Sequence, residues 1–459
     1  MMFGQIQLST GEEPIYRQLA DAIAERIAKG ELATGDKLPP QRKIARSLGI
    51  NLTTVTRAFS TLQQRGLVES RAGRGTIVAA PAGAEPSRFK SAPTDEAGFV
   101  DLSVNRPATT AYLEALAVLL PRLQKDRRYP MLQDYHPPEG PAWARSAVAE
   151  WLAPIAGGGD PSRVMLTDGA QHGLACVLAG IVRPGDVVLS DSVTYQGINA
   201  LCWSRGIDLR GLPMDRDGMQ PDRFDAACRQ WRPRAVFLVP SLHNPTTITL
   251  SESRRRAIVD IARRHNVIMI EDDVYGALLD QRLPSFAALE PELTIHIGSF
   301  SKCVAPGLRL GFVAAPRVLM GDIAAALRID CWSISPLTAL IGTVLLEDGA
   351  AAQLIGQQQV ELRLRQALVQ ETLTGVDLQT AETSTHVWIH VPAPQFRQDF
   401  AETCRQHGVG VLSAEAFTIG HENVPHAIRI NVAAARSRQD LRRALEALAA
   451  LIRSDRTDA

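Results

Sequence analysis

The most informative lysine of this chain lies in the segment SFSKCVAPGLRLGF, residues 299–312. The 459-residue sequence contains six lysines, and Lys302 is the only one after Lys125, although arginine is abundant throughout. Arginine stays protonated in proteins, whereas the amine of a lysine can lose its proton and attack an aldehyde. Arg309 follows seven residues after Lys302 and can hold a phosphate. The spacing therefore indicates an imine-forming amine beside an anion-binding guanidinium.

Two further segments contain polar side chains that suit the same chemistry. EDDVYG follows the apolar run VIMI and contains Asp272 and Tyr275, and the turn HNPTT contains Asn244. A carboxylate at the end of a buried strand needs a cationic partner, because burying an unpaired charge is costly. A protonated pyridine nitrogen is such a partner, and Asn244 could donate to an oxygen on the same ring. Together with Lys302 and Arg309, these residues predict a pocket for pyridoxal 5′-phosphate (PLP), whose protonated ring is an electron sink.

The turn DGAQ and Tyr195 are weaker signals for the same pocket. Gly169, Ala170 and Gln171 lie between a predicted strand and a predicted helix, where backbone amides bind phosphate readily. Tyr195 follows the next predicted strand and could stack on a flat ring. Each feature is also common in ordinary turns and packing, so these residues are candidates only in combination.

All these residues follow short apolar runs that alternate with helical segments from Asp101 onward. The runs are RVMLT, DVVLSD, AVFLVP, VIMIED and TIHIGS, and SESRRRAIVDIARRHN is one of the helical stretches between them. This alternation predicts βα units with a mainly parallel sheet. Ligands of such sheets bind beyond the carboxyl ends of the strands, so the predicted sheet brings the candidate residues to one edge.

The first eighty residues have a different pattern, which predicts three helices and a hairpin. Apolar residues recur every four positions in PIYRQLADAIAERIAKG, and shorter apolar stripes in LPPQRKIARSLGI and NLTTVTRAFSTLQQRG end near Gly49 and Gly66. LVESRAGRGTIVA predicts two strands around a turn. Between Leu38 and Ile77 there are seven Lys and Arg residues against one acidic residue. These features favour a winged helix-turn-helix domain over a three-helix domain with a solvated polar face.

The candidate DNA contacts of that domain are hydroxyl and guanidinium groups. Hydroxyl residues near the start of the third helix allow close approach to DNA, and arginines supply phosphate or guanine contacts. The residues are Thr53, Thr54, Thr56 and Arg57 on the helix, and Arg71 and Arg74 in the hairpin.

Composition excludes several classes of protein. The chain is 45% hydrophobic and 21% charged with a formal net charge of zero, as in soluble globular proteins. Its six cysteines include no CxxC pair, so neither a metal site nor a disulfide framework is predicted. The N-terminal residues lack a secretory signal pattern and no apolar run approaches ~18 residues, so we expect a cytoplasmic protein.

From residue 101 to about 455 the sequence resembles fold-type I aminotransferases, the aspartate aminotransferase class. The resemblance rests on YHPPEG, DGAQHG, VTYQG, HNPTT, EDDVYG, SFSKCVAPGLRLGF and IRINVA. It implies that Lys302 forms the Schiff base with PLP and that Arg309, with Ser299 and Ser301, binds its phosphate. It also implies that Asp272 pairs with the pyridine nitrogen.

The same resemblance implies the remaining contacts of the pocket. Tyr275 and Asn244 match residues that contact the ring hydroxyl, and Tyr195 matches the stacking aromatic residue. Arg429, in IRINVA, matches the arginine that holds an amino acid's carboxylate with a bidentate fork. Tyr135 matches a tyrosine that reaches the phosphate of the partner subunit, which implies a dimer.

Two motifs depart from the family pattern. The turn after Asn244 ends in Thr247 where the family usually has glycine, and YHPPEG replaces a more glycine-rich form. The first departure can alter the conformation of that turn, and the second weakens the resemblance at Tyr135.

Residues 10–79 resemble GntR-type winged helix domains, through PIYRQLADAI, GDKLPPQRKIARSLGI, NLTTVTRAFSTLQQRGLVE and GRGTIVA. Positions that contact DNA in that family correspond to Arg42, Thr53, Thr54, Arg57 and Gly73. Residues 80–98 are rich in Ala, Pro, Ser and Gly and predict a linker. Residues 99–455 then form a PLP-binding effector and dimerisation domain with a small C-terminal subdomain. A GntR-type domain followed by an aminotransferase-like domain is the MocR type of bacterial transcription regulator.

The resemblance implies a PLP-dependent regulator, a head-to-tail homodimer that binds paired half-sites on operator DNA. A small amino compound would displace Lys302 from the PLP aldimine, place its carboxylate on Arg429 and change operator binding. The alternative is a working aminotransferase with a DNA-binding head, and a third possibility is a DNA-binding protein whose second domain only dimerises. Rapid multiple turnover would distinguish the enzyme from the sensor, and the absence of visible imine absorbance would indicate the third.

Overall fold

The structure is a computed structural model. It describes residues 14–28, 32, 36–64, 67–71, 75–79, 98–156, 159–391, 397–420 and 424–454. These residues fall into two compact units, which we call the head (residues 14–79) and the body (residues 98–419 and 425–454). The predicted linker, residues 80–98, lies almost entirely outside the described residues, and the predicted domain limits stay predictions.

The head contains the three predicted helices and the predicted hairpin. Its core is formed by the apolar stripes of the helices, with Leu19, Ile23, Val55 and Phe59 all buried. Gly49 ends the second helix with φ of 64°, a left-handed conformation that glycine adopts without steric cost. The elements are α1 (Ile15–Ala28), α2 (Gln41–Leu48), α3 (Leu52–Gln64) and an antiparallel pair of strands, β1 (Val68–Arg71) and β2 (Gly75–Val78).

The body is built around a seven-stranded sheet with the order β4-β12-β11-β10-β9-β5-β6. All neighbours are parallel except β12, which is antiparallel to both β11 and β4, so the mainly parallel sheet is confirmed. The body strands are β3 (Val100–Asp101), β4 (Val164–Thr167), β5 (Val187–Asp191), β6 (Asp208–Leu212), β7 (Met214–Asp215), β8 (Gly218–Met219), β9 (Ala235–Leu238), β10 (Ile268–Asp272), β11 (Thr294–Ser299), β12 (Gly311–Ala314), β13 (Leu378–Gln379), β14 (His386–His390), β15 (Val409–Gly410), β16 (Leu412–Ser413) and β17 (Ala427–Asn431).

Helices cover both faces of this sheet. Because strand side chains alternate, Val236 and Leu238 pack into one apolar layer with Phe224 of α8, and Phe237 packs into the other with Leu174 of α6. The body helices are α4 (Ala111–Leu123), α5 (Ala142–Ala156), α6 (Ala170–Ile181), α7 (Gln196–Ser204), α8 (Pro221–Trp231), α9 (Glu252–His265), α10 (Phe286–Leu289), α11 (Arg317–Cys331), α12 (Pro336–Glu347), α13 (Ala350–Thr372), α14 (Arg397–Gln406) and α15 (Arg438–Ser454).

A second, four-stranded sheet lies in the C-terminal part of the body, as the predicted small subdomain requires. Its order is β13-β14-β17-β16, and every pair is antiparallel. In the central pair, Trp388 lies opposite Arg429 and His386 lies opposite Asn431. This sheet therefore positions Arg429 in the middle of a strand.

The length and hydropathy of the helices bear on whether the chain can span a membrane. Within the described part of the chain no single helix is both long and apolar enough to cross a bilayer. By length and composition, only the pair α12 and α13, bent by 78° at their junction, meets the requirement jointly.

Candidate functional site

The carboxyl ends of neighbouring strands bring the predicted cofactor residues together. Asp272 is the last residue of β10, Lys302 follows β11, and the glycine turn at Gly169 follows β4. Strands β4, β12, β11 and β10 are consecutive in the sheet, so these ends share one edge. Asn105, in the loop after β3, contacts both Lys302 and Tyr275 from outside the sheet.

Lys302 presents an amine whose proton is unusually easy to remove. Its Nζ donates a hydrogen bond to the backbone carbonyl of Asn105 at 2.9 Å. Burial and the positive charge of Arg429 lower the pKa of Lys302 to about 8, while Asp272 acts in the opposite direction. At neutral pH roughly a tenth of this amine is uncharged, and the uncharged form is the one that attacks a carbonyl carbon.

Asp272 is a buried carboxyl group without a cation beside it. It is 6% exposed, and its Oδ1 lies 3.4 Å from the backbone N–H of Val274. Burial raises the pKa of Asp272 to about 7. Among the described residues, no lysine, arginine or histidine lies within ion-pair distance of it. A protonated ring nitrogen would supply the missing positive charge.

Tyr275 makes a contact that sequence reasoning missed. Its hydroxyl accepts a hydrogen bond from Asn105 Nδ2 at 2.5 Å, and burial raises the pKa of Tyr275. Asn105 is also held by Asn431, whose Nδ2 donates to Asn105 Oδ1 at 2.8 Å. The segment SVNRP around Asn105 carries no recognisable motif, so only its three-dimensional contacts identify it.

Arg429 is a buried guanidinium with part of its hydrogen-bonding capacity unused. It is 3% exposed, and it donates to Asn244 Oδ1 at 3.2 Å and to the backbone carbonyl of Ser103. Its guanidinium carbon lies 5.0 Å from the centre of the Phe417 ring. Its Nε has no partner among the described residues, and burial lowers the pKa of Arg429 to about 10. Such a group can donate hydrogen bonds to the carboxylate of a small ligand.

Asn244 accepts this hydrogen bond from Arg429, a contact that the sequence did not predict. The peptide bond between Asn244 and Pro245 is cis, and Thr247 adopts φ of 66° where the family usually has glycine. The neighbouring His243 Nδ1 lies 2.7 Å from Thr246 Oγ1, which ties the turn together. The predicted contact between Asn244 and a ring oxygen stays a prediction.

The glycine turn and Arg309 form a compact anion-binding arrangement. Gly169 has φ of 81° and directly precedes α6, so the amides of Ala170 and Gln171 lie at a helix N-terminus. Arg309 donates to the backbone carbonyl of Asp168 at 2.5 Å. A Cβ at Gly169 would lie 2.9 Å from the Arg309 guanidinium, so a larger residue would displace the arginine.

The remaining predicted cofactor residues border this arrangement. Ser299 Oγ lies 2.9 Å from Ser301 Oγ, and both serines are buried. The Tyr195 hydroxyl donates to Gln171 Oε1 at 3.0 Å, and burial raises the pKa of Tyr195. Tyr195 is thereby anchored to the first turn of α6. These positions agree with the predicted phosphate and ring contacts, which stay predictions.

Tyr135 differs from the other candidates because it is 89% exposed. Its ring packs on the ring of Trp332, with ring centres 5.8 Å apart. A tyrosine this exposed within one subunit is available to a neighbouring subunit, and the prediction that it does so remains untested.

A polar cluster that sequence reasoning missed stabilises the glycine turn. His172 Nδ1 accepts the backbone N–H of Asp168 at 3.1 Å, and its Nε2 lies 3.2 Å from Asp330 Oδ2 and 3.9 Å from Cys331 Sγ. Because Nδ1 is an acceptor, the proton of the neutral ring is on Nε2 and points to the carboxylate. This geometry indicates a hydrogen-bonded support for the turn.

In the head, the predicted DNA contacts lie mostly on an exposed surface. Arg42 on α2 and Thr53 and Arg57 on α3 are exposed, and Thr54 is half-buried. Thr56 is exposed too, but its hydroxyl donates to Gln41 Oε1 at 2.9 Å and so joins α3 to α2. Arg71 is the last residue of β1, and Gly73 and Arg74 lie outside the described residues.

Comparison with protein families matches both units. Residues 97–448 match the aminotransferase class I and II family, and residues 15–78 match the gntR family of bacterial regulatory proteins. The HTH-type transcriptional regulator YdeF of Bacillus subtilis, itself uncharacterized, is 29% identical over 97% of this chain and 96% of its own. The vitamin B6 salvage pathway transcriptional repressor PtsJ of Salmonella typhimurium is 29% identical over 90% and 93%. The probable rhizopine catabolism regulatory protein MocR of Rhizobium meliloti is 28% identical over 67% and 66%.

Solved structures match the body. The α-aminoadipate aminotransferase LysN of Thermus thermophilus, complexed with N-(5′-phosphopyridoxyl)-L-leucine, is 22% identical with a TM-score of 0.72, over 79% of this chain and 94% of that one. An archaeal alanine:glyoxylate aminotransferase is 20% identical with a TM-score of 0.71, over 78% and 91%. At these identities the likeness concerns the fold, and the predicted fold class is confirmed. The chain belongs to the aminotransferase class I and II family, and its N-terminal GntR-family helix-turn-helix domain gives it the MocR-type architecture.

Proposed function

We propose that this chain is a PLP-dependent transcription regulator that binds operator DNA through its head and a small amino compound through its body. The observation that carries the proposal is the presence in one chain of an exposed recognition-helix surface and a pocket suited to PLP. The regulator names of relatives that align with both units support it.

The candidate residues of the body suit PLP by their charges and by their positions at the strand ends. The buried Asp272 needs a positive partner, as a protonated pyridine nitrogen needs a carboxylate. Arg309 and the turn at Gly169 would hold the phosphate at the N-terminus of α6. Tyr195 would flank the ring, and Lys302 would carry the aldehyde carbon. When bound, PLP supplies a reactive aldehyde and a ring that withdraws electrons.

Effector binding would depend on Lys302 and Arg429. An effector amine would compete with the Lys302 amine for the aldehyde carbon of PLP, and the lowered pKa of Lys302 leaves part of the Lys302 amine uncharged near neutral pH. The Asn105 carbonyl, which accepts a hydrogen bond from the Lys302 amine, would hold this amine while it is not attached to the cofactor. Arg429 would bind the effector carboxylate. Operator binding changes only if the effector has different affinities for the two states of the protein.

A homodimer is part of the proposal, because the body exposes several large apolar side chains. These lie on α4, on α11 and in the adjoining loops, and each is more than half exposed: Leu113, Val118, Tyr135, Val318 and Ile329. Contact with a second subunit would bury these side chains. A dimer with two heads would bind paired half-sites on DNA, and we place this regulator in the cytoplasm.

The test is operator binding by the purified holo-protein. We expect a shift of DNA fragments from upstream of its own gene, with an affinity that falls steeply as salt rises. An amino compound that changes the visible spectrum of the holo-protein should also change this affinity. Failure to shift any such fragment at low salt would contradict the proposal.

A second candidate function, amino-group transfer, is favoured by the same Lys302 geometry. The lowered pKa of the Lys302 amine suits catalytic turnover of an amino acid as well as sensing of an effector. Incubation of the holo-protein with amino acids and 2-oxoglutarate distinguishes the two, since rapid multiple turnover indicates an aminotransferase. A third candidate, a body that only dimerises, predicts that Lys302→Ala changes neither the spectrum nor regulation.

A further inference from the structure

His386 is a buried histidine that the predicted contacts of the pocket do not use. It is the first residue of β14 and is 0% exposed. Neither Nδ1 nor Nε2 has a hydrogen-bond partner among the described residues. Buried polar groups in native proteins are nearly always paired, so two free nitrogens on one ring require an explanation.

The register of the small sheet places His386 beside the ligand-binding residues. His386 lies directly opposite Asn431, and Trp388 lies opposite Arg429. Because side chains alternate along a strand and opposite residues point to the same side, His386 shares a face with Arg429. Along the strand direction, the positions of His386 and Arg429 are two residues apart, or about 7 Å.

Two further neighbours of the His386 side chain belong to the candidate site. Its ring meets the Tyr275 ring edge-on, with ring centres 5.0 Å apart. Asn431, which lies opposite His386, donates a hydrogen bond to the side chain of Asn105. The backbone carbonyl of Asn105 accepts a hydrogen bond from the Lys302 amine. His386 therefore lies next to Tyr275 and opposite Asn431, and both of these residues contact Asn105, whose carbonyl accepts a hydrogen bond from the Lys302 amine.

The surroundings of His386 also define its charge. Burial, and after it the positive charges of Arg429 and Lys302, lower the pKa of His386 well below its ordinary value. The ring is neutral and offers one N–H donor and one nitrogen acceptor. A neutral ring is a poor partner for a carboxylate that Arg429 can bind, but it matches a group that both donates and accepts.

We propose that His386 is a specificity-determining residue, which hydrogen-bonds a hydroxyl group of the effector while Arg429 holds the effector carboxylate. The inference rests on the proposed function and narrows the effector to a hydroxyl-bearing amino acid. A site built to pair with a hydroxyl discriminates strongly against the analogue that lacks it, because the buried polar group then stays unpaired.

The test uses pairs of amino acids that differ by one hydroxyl. The probes are L-serine and L-alanine, 3-amino-2-hydroxypropanoate and β-alanine, and 4-amino-3-hydroxybutyrate and 4-aminobutyrate. Dissociation constants come from spectral titration of the holo-protein. In at least one pair, we expect the wild-type protein to prefer the hydroxylated member by about tenfold or more. His386→Phe should reduce that preference to less than about twofold, with the affinity for the deoxy member within about threefold of wild type.

Two controls separate hydrogen bonding from folding. His386→Asn and His386→Gln keep an amide donor and acceptor near the Nδ1 and Nε2 positions, so one of them should restore part of the preference. His390→Phe is the matched control, because His390 is on the same strand, pairs with Ala427 and contacts Trp388. It should retain the wild-type preference.

The outcomes distinguish this inference from the function on which it rests. If no probe changes the spectrum of the wild-type holo-protein, both the effector function and the inference are overturned. If the probes bind but no pair shows a preference, or the preference survives in His386→Phe, the inference alone is overturned. Failure of both amide variants to restore any preference would likewise contradict it.

Discussion

The two sheets of the body contribute to the candidate site in different ways. The seven-stranded sheet contributes residues at or after strand ends, such as Asp272 and Lys302, where parallel strands finish at a common edge. The four-stranded sheet contributes residues in its paired central strands, Arg429 in the middle of β17 and His386 at the start of β14, which share one face of that sheet. In the proposed function, the first set would hold the cofactor, and the second would distinguish between ligands.

This difference has a physical basis. A strand end is followed by a loop, so it can combine a side chain with free backbone amides, as at Gly169 and α6. A strand interior has its backbone paired, so it offers side chains alone and holds them in a defined register. We therefore expect changes at the edge of the large sheet to abolish cofactor binding, and changes on the face of the small sheet to alter ligand choice.

The largest effect is expected from Lys302→Ala, at the edge of the large sheet. Removal of the only amine at this position should eliminate covalent attachment of PLP and the visible absorbance that accompanies it. Spectra of the purified variant after addition of PLP test this. The control is Lys125→Ala, an exposed lysine that should behave as wild type. An unchanged spectrum in Lys302→Ala would remove this residue from the cofactor site.

A smaller effect is expected from Asp272→Asn, also at that edge. Without the carboxylate a protonated ring nitrogen loses its partner, and PLP affinity should fall about 100-fold. The matched control, Asp273→Asn, should stay within about threefold of wild type, and an equal loss in both variants would contradict the choice of Asp272. PLP titration measures both.

In the cofactor-free protein, Asp272→Asn should instead be favourable, because it should raise the free energy of unfolding. The pKa of Asp272 is about 7 in the folded state and ordinarily about 3.8, so the folded form holds this proton more tightly than the unfolded form. Its contribution to stability is therefore lost as pH rises from about 4 to about 7. Apo Asp272→Asn should be more stable than apo wild type at pH 8, by at most roughly 2–4 kcal/mol, in urea unfolding.

On the small sheet, Arg429→Lys should affect the ligand more than the cofactor. Lysine keeps the positive charge but loses the bidentate fork, so affinity for carboxylate-bearing effectors should fall about tenfold while PLP affinity changes little. Spectral titration of the loaded variant measures this. Arg442→Lys, at an exposed ion pair with Glu371, should change neither value. An equal loss of PLP affinity in Arg429→Lys would erase the distinction between the two sheets.

The smallest effect is expected in the pH dependence of the rate at which PLP attaches to Lys302. With a Lys302 pKa of about 8, the neutral fraction of the amine rises about fivefold between pH 7 and pH 8 and levels off near pH 9. The rate of PLP attachment to the apo-protein should follow this curve in stopped-flow absorbance. A lysine with an ordinary pKa would instead give a rate that rises about tenfold per pH unit through pH 9.

Much of the cofactor edge could be predicted because its signals are local. Lys302 and Arg309 lie within one short motif, and each apolar run before a candidate residue has the length of a strand. The same locality explains what was missed. Asn105 is 197 residues from the lysine that it contacts and 170 from Tyr275, and nothing near it in the sequence connects them. The antiparallel β12 was also missed, because an apolar strand has the same pattern in either direction.

By itself, the sequence determined that the chain has a basic helical head and an alternating α/β body, and that one lysine, one aspartate and two arginines are the candidates for chemistry. Residue types and periodicities suffice for this, because they express local preferences and burial. Only the tertiary structure decided that Asn105 supports both Lys302 and Tyr275, that Arg429 donates to Asn244, and that neither ring nitrogen of the buried His386 has a partner among the described residues. These outcomes depend on register and on burial by distant segments, and burial in turn determines the charge that each group carries.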